Sequence, residues 1–443
     1  MTLPFAWGVA TSAYQIEGGR HEGGKGTSIW DKFNDEGRLP ASGDVAVDHY
    51  HRLDEDLDLL ADLGVNAYRF STAWTRIVPD GNGRVSNEGL GFYDRLITGL
   101  EARGIEPCLT LYHWDLPQAL QDKGGWESRD TIDAFTTYAT ILAGTFGDRV
   151  GRWVTQNEPW VSAFPGHRDG IFAPGLTSWE TALVVSHNLL LAHGRATKAI
   201  REVAPEAEVG IALDCRPSEP ADEASVAANR YFDGFRNRWY FDPVFGLGYP
   251  DDMVDAYIER GYLPSGLEDL VEEGDQEEIA TPIDFLGLNY YTTVTISAEG
   301  EESDEPEGPV GPDAPKGFTE MGWRNDPRGL TDFLERVART YAPASILITE
   351  NGASYTDGPD ANGRVRDSRR IEYLDSHMAA VLDAREAGVP VDGYFVWSLL
   401  DNVEWTQGFS QRFGLVWVDE DSGRRIPKDS YYWYRDRINT SGI

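Results

Sequence analysis

Short apolar runs alternate along this chain with longer stretches in which apolar residues recur at helical spacing. The short runs cover residues 5–10, 65–71, 105–114, 152–159, 207–213, 283–291, 344–352 and 391–398. Each is rich in β-branched or aromatic residues and bounded by turn residues, the pattern of a strand buried on both faces. Between them, residues 52–63 carry Leu53, Leu57, Leu60 and Leu63 on one helical face, with Gly64 placed to cap the end. Similar periodicity predicts helices over 87–103, 128–146, 179–203, within 222–261, over 327–341 and 367–387, and near 428–437.

Eight strand–helix units with no break in composition predict an α/β fold: a single closed (β/α)8 barrel, or TIM barrel, with long βα loops. On this reading residues 1–443 form one catalytic domain. An open, doubly wound sheet shares the alternation, because strand order is not written in the pattern. No Gly-x-Gly-x-x-Gly follows a strand, which argues against a nucleotide site. Residues 298–317, dense in Glu, Asp, Pro and Gly, predict a loop.

The carboxyl ends of parallel strands are where such folds bind ligands. Here those ends present Gln15, Arg69, His113, Asn157 with Glu158, Asn289 with Tyr291, Glu350, and Trp397 followed by Glu404 and Trp405. Taken singly, each has an ordinary explanation: His113 as a satisfied core histidine, Arg69 as an ion-pair partner, Glu350 as a turn carboxylate, Trp397 as core. Together, amides, carboxylates, imidazole, guanidinium and indoles at one rim are not what packing selects, and they predict a single pocket at the barrel mouth. Glu158 and Glu350 each close a strand, and a pair of carboxyls facing one ligand is the requirement of glycoside hydrolysis. The remaining polar groups suit sugar hydroxyls, and the indoles suit the face of a pyranose; the chain holds 14 tryptophans.

Charge narrows the ligand. The net charge of −35 disfavours nucleic acid, anionic lipid and phosphorylated molecules and is compatible with a neutral substrate. A solubility coat or adaptation to salt accounts for it equally well. No run approaches the roughly 20 apolar residues of a membrane span, and the first residues lack the features of a signal peptide, so a cytoplasmic protein is expected. Cys108 and Cys215 read as two reduced, buried thiols. The histidines, including His49 and His51, lack partners at ligand spacing, so no metal is expected, and no Gly-x-Ser-x-Gly elbow is present.

The motifs that carry these residues resemble glycoside hydrolase family 1, the β-glucosidase-type retaining enzymes, over essentially the whole chain. They are Gln15-Ile16-Glu17-Gly18, Tyr68-Arg69-Phe70-Ser71, the stretch from Thr110 through His113 to Pro117, Asn157-Glu158-Pro159-Trp160, Asn289-Tyr290-Tyr291-Thr292, Thr349-Glu350-Asn351-Gly352, Trp397-Ser398, Glu404-Trp405 and Arg412-Phe413-Gly414-Leu415. The resemblance implies a retaining exo-acting β-glycosidase with Glu350 as nucleophile and Glu158 as acid/base. Arg69 and Tyr291 would orient Glu350, while Gln15, His113, Asn157, Asn289, Trp397, Glu404 and Trp405 would hold the nonreducing sugar. Trp126 and Trp323 would line the leaving-group side.

The expected substrates are small unphosphorylated β-glucosides, cello-oligosaccharides or plant aryl glucosides, with galactosyl and fucosyl residues also admissible. No cofactor is implied, and self-association into a homo-oligomer is left open. Two alternatives remain. A 6-phospho-β-glucosidase would place its phosphate where this chain has Glu404 and Trp405, and a carbohydrate-binding pseudoenzyme usually lacks one of the two carboxylates present here. Departures from the family pattern at Thr72, Thr75, Arg324, Arg328, residues 19–22 and residues 165–172 bear on leaving-group preference.

Overall fold

The computed structural model describes residues 5–298, 311–312 and 314–440 of the chain. Most of the loop expected over 298–317 therefore lies outside the described residues. Eight parallel strands close into a barrel: β1 (Ala6–Ala10), β2 (Ala67–Ser71), β3 (Glu106–Tyr112), β4 (Arg152–Asn157), β5 (Glu208–Cys215), β6 (Phe285–Tyr290), β7 (Ile346–Asn351) and β8 (Val391–Trp397). Each strand pairs with its sequence neighbours and β1 pairs with β8, which completes the ring and excludes the open sheet. The third strand stops two residues short of its expected end, because Trp114 turns into the left-handed region at φ +76°.

Helices Leu53–Leu63, Asn87–Glu101, Arg129–Phe146, Trp179–Val203, Pro327–Tyr341, Ser368–Glu386 and Asp429–Thr440 occupy the predicted segments. Gly64 caps the first at φ +75°, a conformation costly to any residue with a Cβ. The segment read as helical between 222 and 261 divides into Val226–Asp233, a π turn at Gly234–Arg238, Trp239–Val244 and Asp251–Glu259. Pro243, Pro250 and two glycines at positive φ explain the breaks.

Inside the ring, Ala6, Ala67, Cys108, Val154, Ala212, Phe285, Leu347 and Phe395 form a compact apolar plug. Small residues on some strands leave room for the phenyl rings of others, so the barrel is filled rather than hollow. Both cysteines are free and buried. Above the plug the inward-facing side chains become polar, and the cavity opens there. Among the described residues no helix is long and apolar enough to cross a membrane.

Candidate active site

Strict alternation along β2 puts Ala67 in the plug and Arg69 above it, at the floor of the cavity. Arg69 is wholly buried, so each N–H must find an acceptor. Its Nη1 donates to Glu350 Oε1 over 2.6 Å, its Nη2 to Asn157 Oδ1 over 2.6 Å, and its Nε to Thr110 Oγ1 over 3.1 Å. One guanidinium thus ties β2, β3, β4 and β7 together at one level.

The two carboxyls reach the cavity where alternation fails. On β4, Val154 faces the plug, yet both Thr155 and Gln156 turn outward, to His193 Nδ1 and to the Leu189 carbonyl. The pairing with β5 shifts between Val154 and Asn157, and this irregularity returns Asn157 to the interior. Glu158 follows in the left-handed region at φ +46°, its N–H donating to the Ala212 carbonyl over 2.8 Å, and Pro159 starts a helix immediately after it. A residue with a Cβ held there carries a backbone cost of about 1–2 kcal/mol.

On β7, Leu347, Thr349 and Glu350 all face inward, while Asn351 turns out to the Tyr290 carbonyl and Tyr373. Register shifts against both neighbouring strands make this possible. Gly352 is required just beyond, since a Cβ there would lie 1.9 Å from the Trp397 carbonyl oxygen.

The environments of the two carboxyls differ. Glu350 accepts from Arg69 and, at 2.7 Å, from the phenol of Tyr291. Burial raises its pKa above the ordinary carboxylate value, and Arg69 and Tyr291 pull against that rise. Glu158 accepts from the neutral amide of Asn289 over 2.6 Å. Burial, then the charge of Asp214, then that of Glu350 push its pKa well above the usual range. The proton held by the pair therefore sits on Glu158, and Glu350 is the anion.

Both carboxyls line one cavity of about 210 Å³, together with His113, Tyr291, Trp323, Trp397, Glu404 and Trp405. His113 accepts from the Asn157 amide at Nε2 over 3.1 Å, and its Nδ1 is buried without a protein partner. Burial and the nearby Arg69 hold its pKa well below normal, so the ring is neutral and Nδ1 carries the hydrogen toward a ligand. Burial and the charge of Glu350 push Glu404 up to about 8. Trp405 stacks on Tyr14, with ring centroids 5.8 Å apart and planes 4° from parallel.

Gln15, Asn157, Asn289 and Arg69 stand one layer behind the wall, where they hold the lining groups. Gln15 Nε2 donates to Asn402 Oδ1 and to the Val403 carbonyl, which fastens the loop carrying Glu404 and Trp405. Asp401 secures the same loop from below, accepting from Lys428 Nζ over 2.7 Å and from Arg412 Nη1 over 3.2 Å.

One expectation is corrected. Trp126 is 1% exposed and does not reach the cavity. Its ring packs among Trp74, Tyr112 and Phe135, with centroids 5.2–6.4 Å away, because Tyr112 is an outward-facing residue of β3 and the indole fills the gap between strand and helix. Trp323 does line the cavity, as do Pro165 and Phe172 from the departing 165–172 segment. Asp214, Arg236 and Met321, which sequence reading missed, also line it, as do Trp160 and Phe413, which lay within its motifs but were given no role. A signal for Asp214 existed: it sits at the carboxyl end of β5, in a run read as ending at Leu213.

Among the described residues no group of histidines, cysteines and carboxylates could hold a metal ion. An anion, a protonated carboxyl above it and a rim of hydroxyl-binding groups suit proton transfer coupled to attack on a neutral polyhydroxylated ligand.

A family model described as glycosyl hydrolase family 1 matches residues 2–443. The chain is 44% identical to beta-glucosidase A of Thermotoga maritima, over 99% of this chain and 98% of that protein. It is 43% identical to beta-glucosidase A of Acetivibrio thermocellus, over 100% of this chain and 99% of that protein. Its fold matches the solved structure of beta-glucosidase from Thermotoga maritima in complex with glucoimidazole at a TM-score of 0.92 and 43% identity, covering 100% of this chain and 99% of that one.

Proposed function

Because the chain belongs to glycosyl hydrolase family 1, we propose that its two strand-end carboxyls divide a double displacement between them, Glu350 as nucleophile and Glu158 as acid/base. The enzyme is a retaining β-glucosidase that releases terminal nonreducing β-glucosyl residues. The observation that carries the division of roles is the asymmetry of hydrogen bonding: Arg69 and Tyr291 on Glu350, a neutral amide on Glu158.

In the first half-reaction Glu350 attacks the anomeric carbon while Glu158 gives its proton to the departing glycosidic oxygen. The C–O bond to the leaving group breaks, and an ester to Glu350 forms. Esterification removes the charge of Glu350, which lowers the proton affinity of Glu158. Glu158 then takes a proton from water as the water attacks the anomeric carbon. Arg69 stabilises the carboxylate that leaves.

His113, Glu404, Trp405 and Trp397 are proposed to receive the glucosyl unit, with Gln15, Asn157 and Asn289 setting their positions, and Trp323 to face the leaving group. The charge of Glu350 on the sugar side would repel a phosphate, which weighs against 6-phosphoglycosides, and Glu158 and Glu350 are both in place, which weighs against a pseudoenzyme. A cytoplasmic location is supported by two free, buried thiols, and one catalytic domain over 1–443 by the unbroken strand–helix alternation.

Proton NMR of the first product from a β-glucoside tests the mechanism: β-glucose is expected, and α-glucose would overturn it. A panel of nitrophenyl glucoside, galactoside, fucoside and glucoside 6-phosphate tests the sugar, with turnover of the phosphorylated substrate the adverse result.

A further inference from the structure

Beside the two carboxyls that the reaction uses, the cavity wall holds a third. Asp214 is the penultimate residue of β5, in register with Asn289 of β6, whose amide holds Glu158. Its carboxylate pairs with the guanidinium of Arg236, which is 3% exposed and rises from the π turn after the helix Val226–Asp233. The far side of that guanidinium lies 3.4 Å from the ring centroid of Trp160, two residues after Glu158. Asp214, Arg236, Trp160 and Glu158 all border the same cavity. Burying an ion pair is costly, and apolar residues would close this wall at lower cost. The steps above assign the pair no work.

We propose that Asp214, clamped by Arg236, is a positioning residue that keeps the proton on Glu158, and that this pair sets the alkaline edge of activity. The proposal rests on Glu158 being the acid/base. A fixed anion beside a buried carboxyl disfavours a second negative charge. Among the charges acting on Glu158, Asp214 counts for more than Glu350. Arg69 opposes both, and Asn289 opposes them through its hydrogen bond. Burial lifts Cys215, Tyr240 and Tyr291 so that they stay neutral, while His113, Arg216 and Glu404 line the same cavity. Arg236 holds Asp214 ionised and aims its carboxylate at the cavity.

Asp214 also differs from Glu350 in time. The nucleophile loses its charge in the glycosyl-enzyme, whereas Asp214 keeps its own. Its push on Glu158 therefore persists when Glu158 must act as a base.

The test is kcat/KM against pH for a nitrophenyl glucoside with wild type, Asp214→Asn and Arg236→Met. Asp214→Asn is expected to move the alkaline limb toward acid by about one pH unit or more, the scale of one neighbouring like charge. That shift lowers kcat/KM about tenfold just above the original edge. Arg236→Met is expected to move the same limb the same way, because Asp214 without its counter-ion loses both its charge and its position. A limb that stays in place while only the amplitude falls, or that moves toward alkaline pH in either variant, overturns the proposal. A carboxyl NMR titration of labelled Glu158 in the same proteins gives a second reading, and Arg236→Met alone carries the sign if Asp214→Asn does not fold. An alkaline limb that survives in Glu158→Gln removes the acid/base assignment and the proposal with it. A limb lost in Glu158→Gln yet unmoved in Asp214→Asn removes the proposal alone.

Discussion

The side-chain amide of Asn289 donates to Glu158 Oε1 over 2.6 Å, although the two residues come from strands that are not neighbours in the barrel. Thr349 Oγ1 fixes the other end of that amide, donating to Asn289 Oδ1 over 2.7 Å, so its orientation is set from β7. The same Nδ2 donates to Asn157 Oδ1 over 3.0 Å, and the nearness of the amide lowers the proton affinity of Glu350.

Removing that amide gives a prediction with a definite sign. A hydrogen bond donated to a carboxylate favours the charged form, so Asn289→Ala should raise the pKa of both carboxyls. Both limbs of the kcat/KM profile are expected to move to higher pH. The maximum should fall roughly 10- to 100-fold, the scale of 1–3 kcal/mol for removing the partner of a buried group. Limbs that stay in place would show that Asn289 holds only the backbone.

Glu350→Gly should lose turnover by about 10⁴-fold or more. With azide supplied in the vacated space, a glucosyl azide of inverted configuration is expected from an aryl β-glucoside with a good leaving group. Absence of rescue, or an azide of retained configuration, would count against Glu350 as the attacking group. Product configuration by NMR decides it.

Trp126 and Trp323 should separate stability from specificity. Trp126→Ala empties a packed aromatic cluster and is expected to cost about 3–5 kcal/mol of stability, with the ranking of leaving groups unchanged. Trp323→Ala, on the half-buried cavity wall, should leave the unfolding midpoint nearly unchanged and shift KM among aglycones. Denaturant unfolding beside a leaving-group series checks both.

Lys428 and Asp401 are both fully buried, with Nζ 2.7 Å from Oδ1. Lys428→Met leaves a buried carboxylate short of one partner and should cost about 3–5 kcal/mol, with Lys428→Arg costing less. Burial lowers the lysine to about 8 from its ordinary value of 10.5. Between those two values the unfolded chain binds more protons than the native one. Linkage then predicts that stability attributable to this group rises with pH across that window, where Lys428→Met shows no such rise. Urea midpoints measured at several pH values test the slope.

Much of the architecture was legible along the chain because a strand buried on both faces must be short, apolar and bounded. Eight such runs separated by amphipathic segments fit a closed ring or an open doubly wound sheet, and the pairing of β1 with β8 decides for the ring. The principal site residues were legible for a related reason: Arg69, Glu158 and Glu350 end apolar runs with groups that packing would reject. Asp214 escaped because β5 was read one residue too short to include it. Trp126 misled because an indole near a strand end looks the same whether it faces the mouth of the barrel or the helix layer.

The sequence by itself marked the polar groups that close the apolar runs and placed them at the carboxyl ends of the strands. It did not determine which way those ends point. By simple alternation from Val154 and Leu347, Asn157 and Glu350 would face the helices, and only the register shifts in β4 and β7 turn them inward. The unequal proton affinities of the two carboxyls likewise depend on Asp214, Arg69, Asn289 and Tyr291, brought from three different parts of the chain. A shift in register is a property of two strands pairing, and a pKa is a property of everything packed around a group. Neither exists until the barrel has closed.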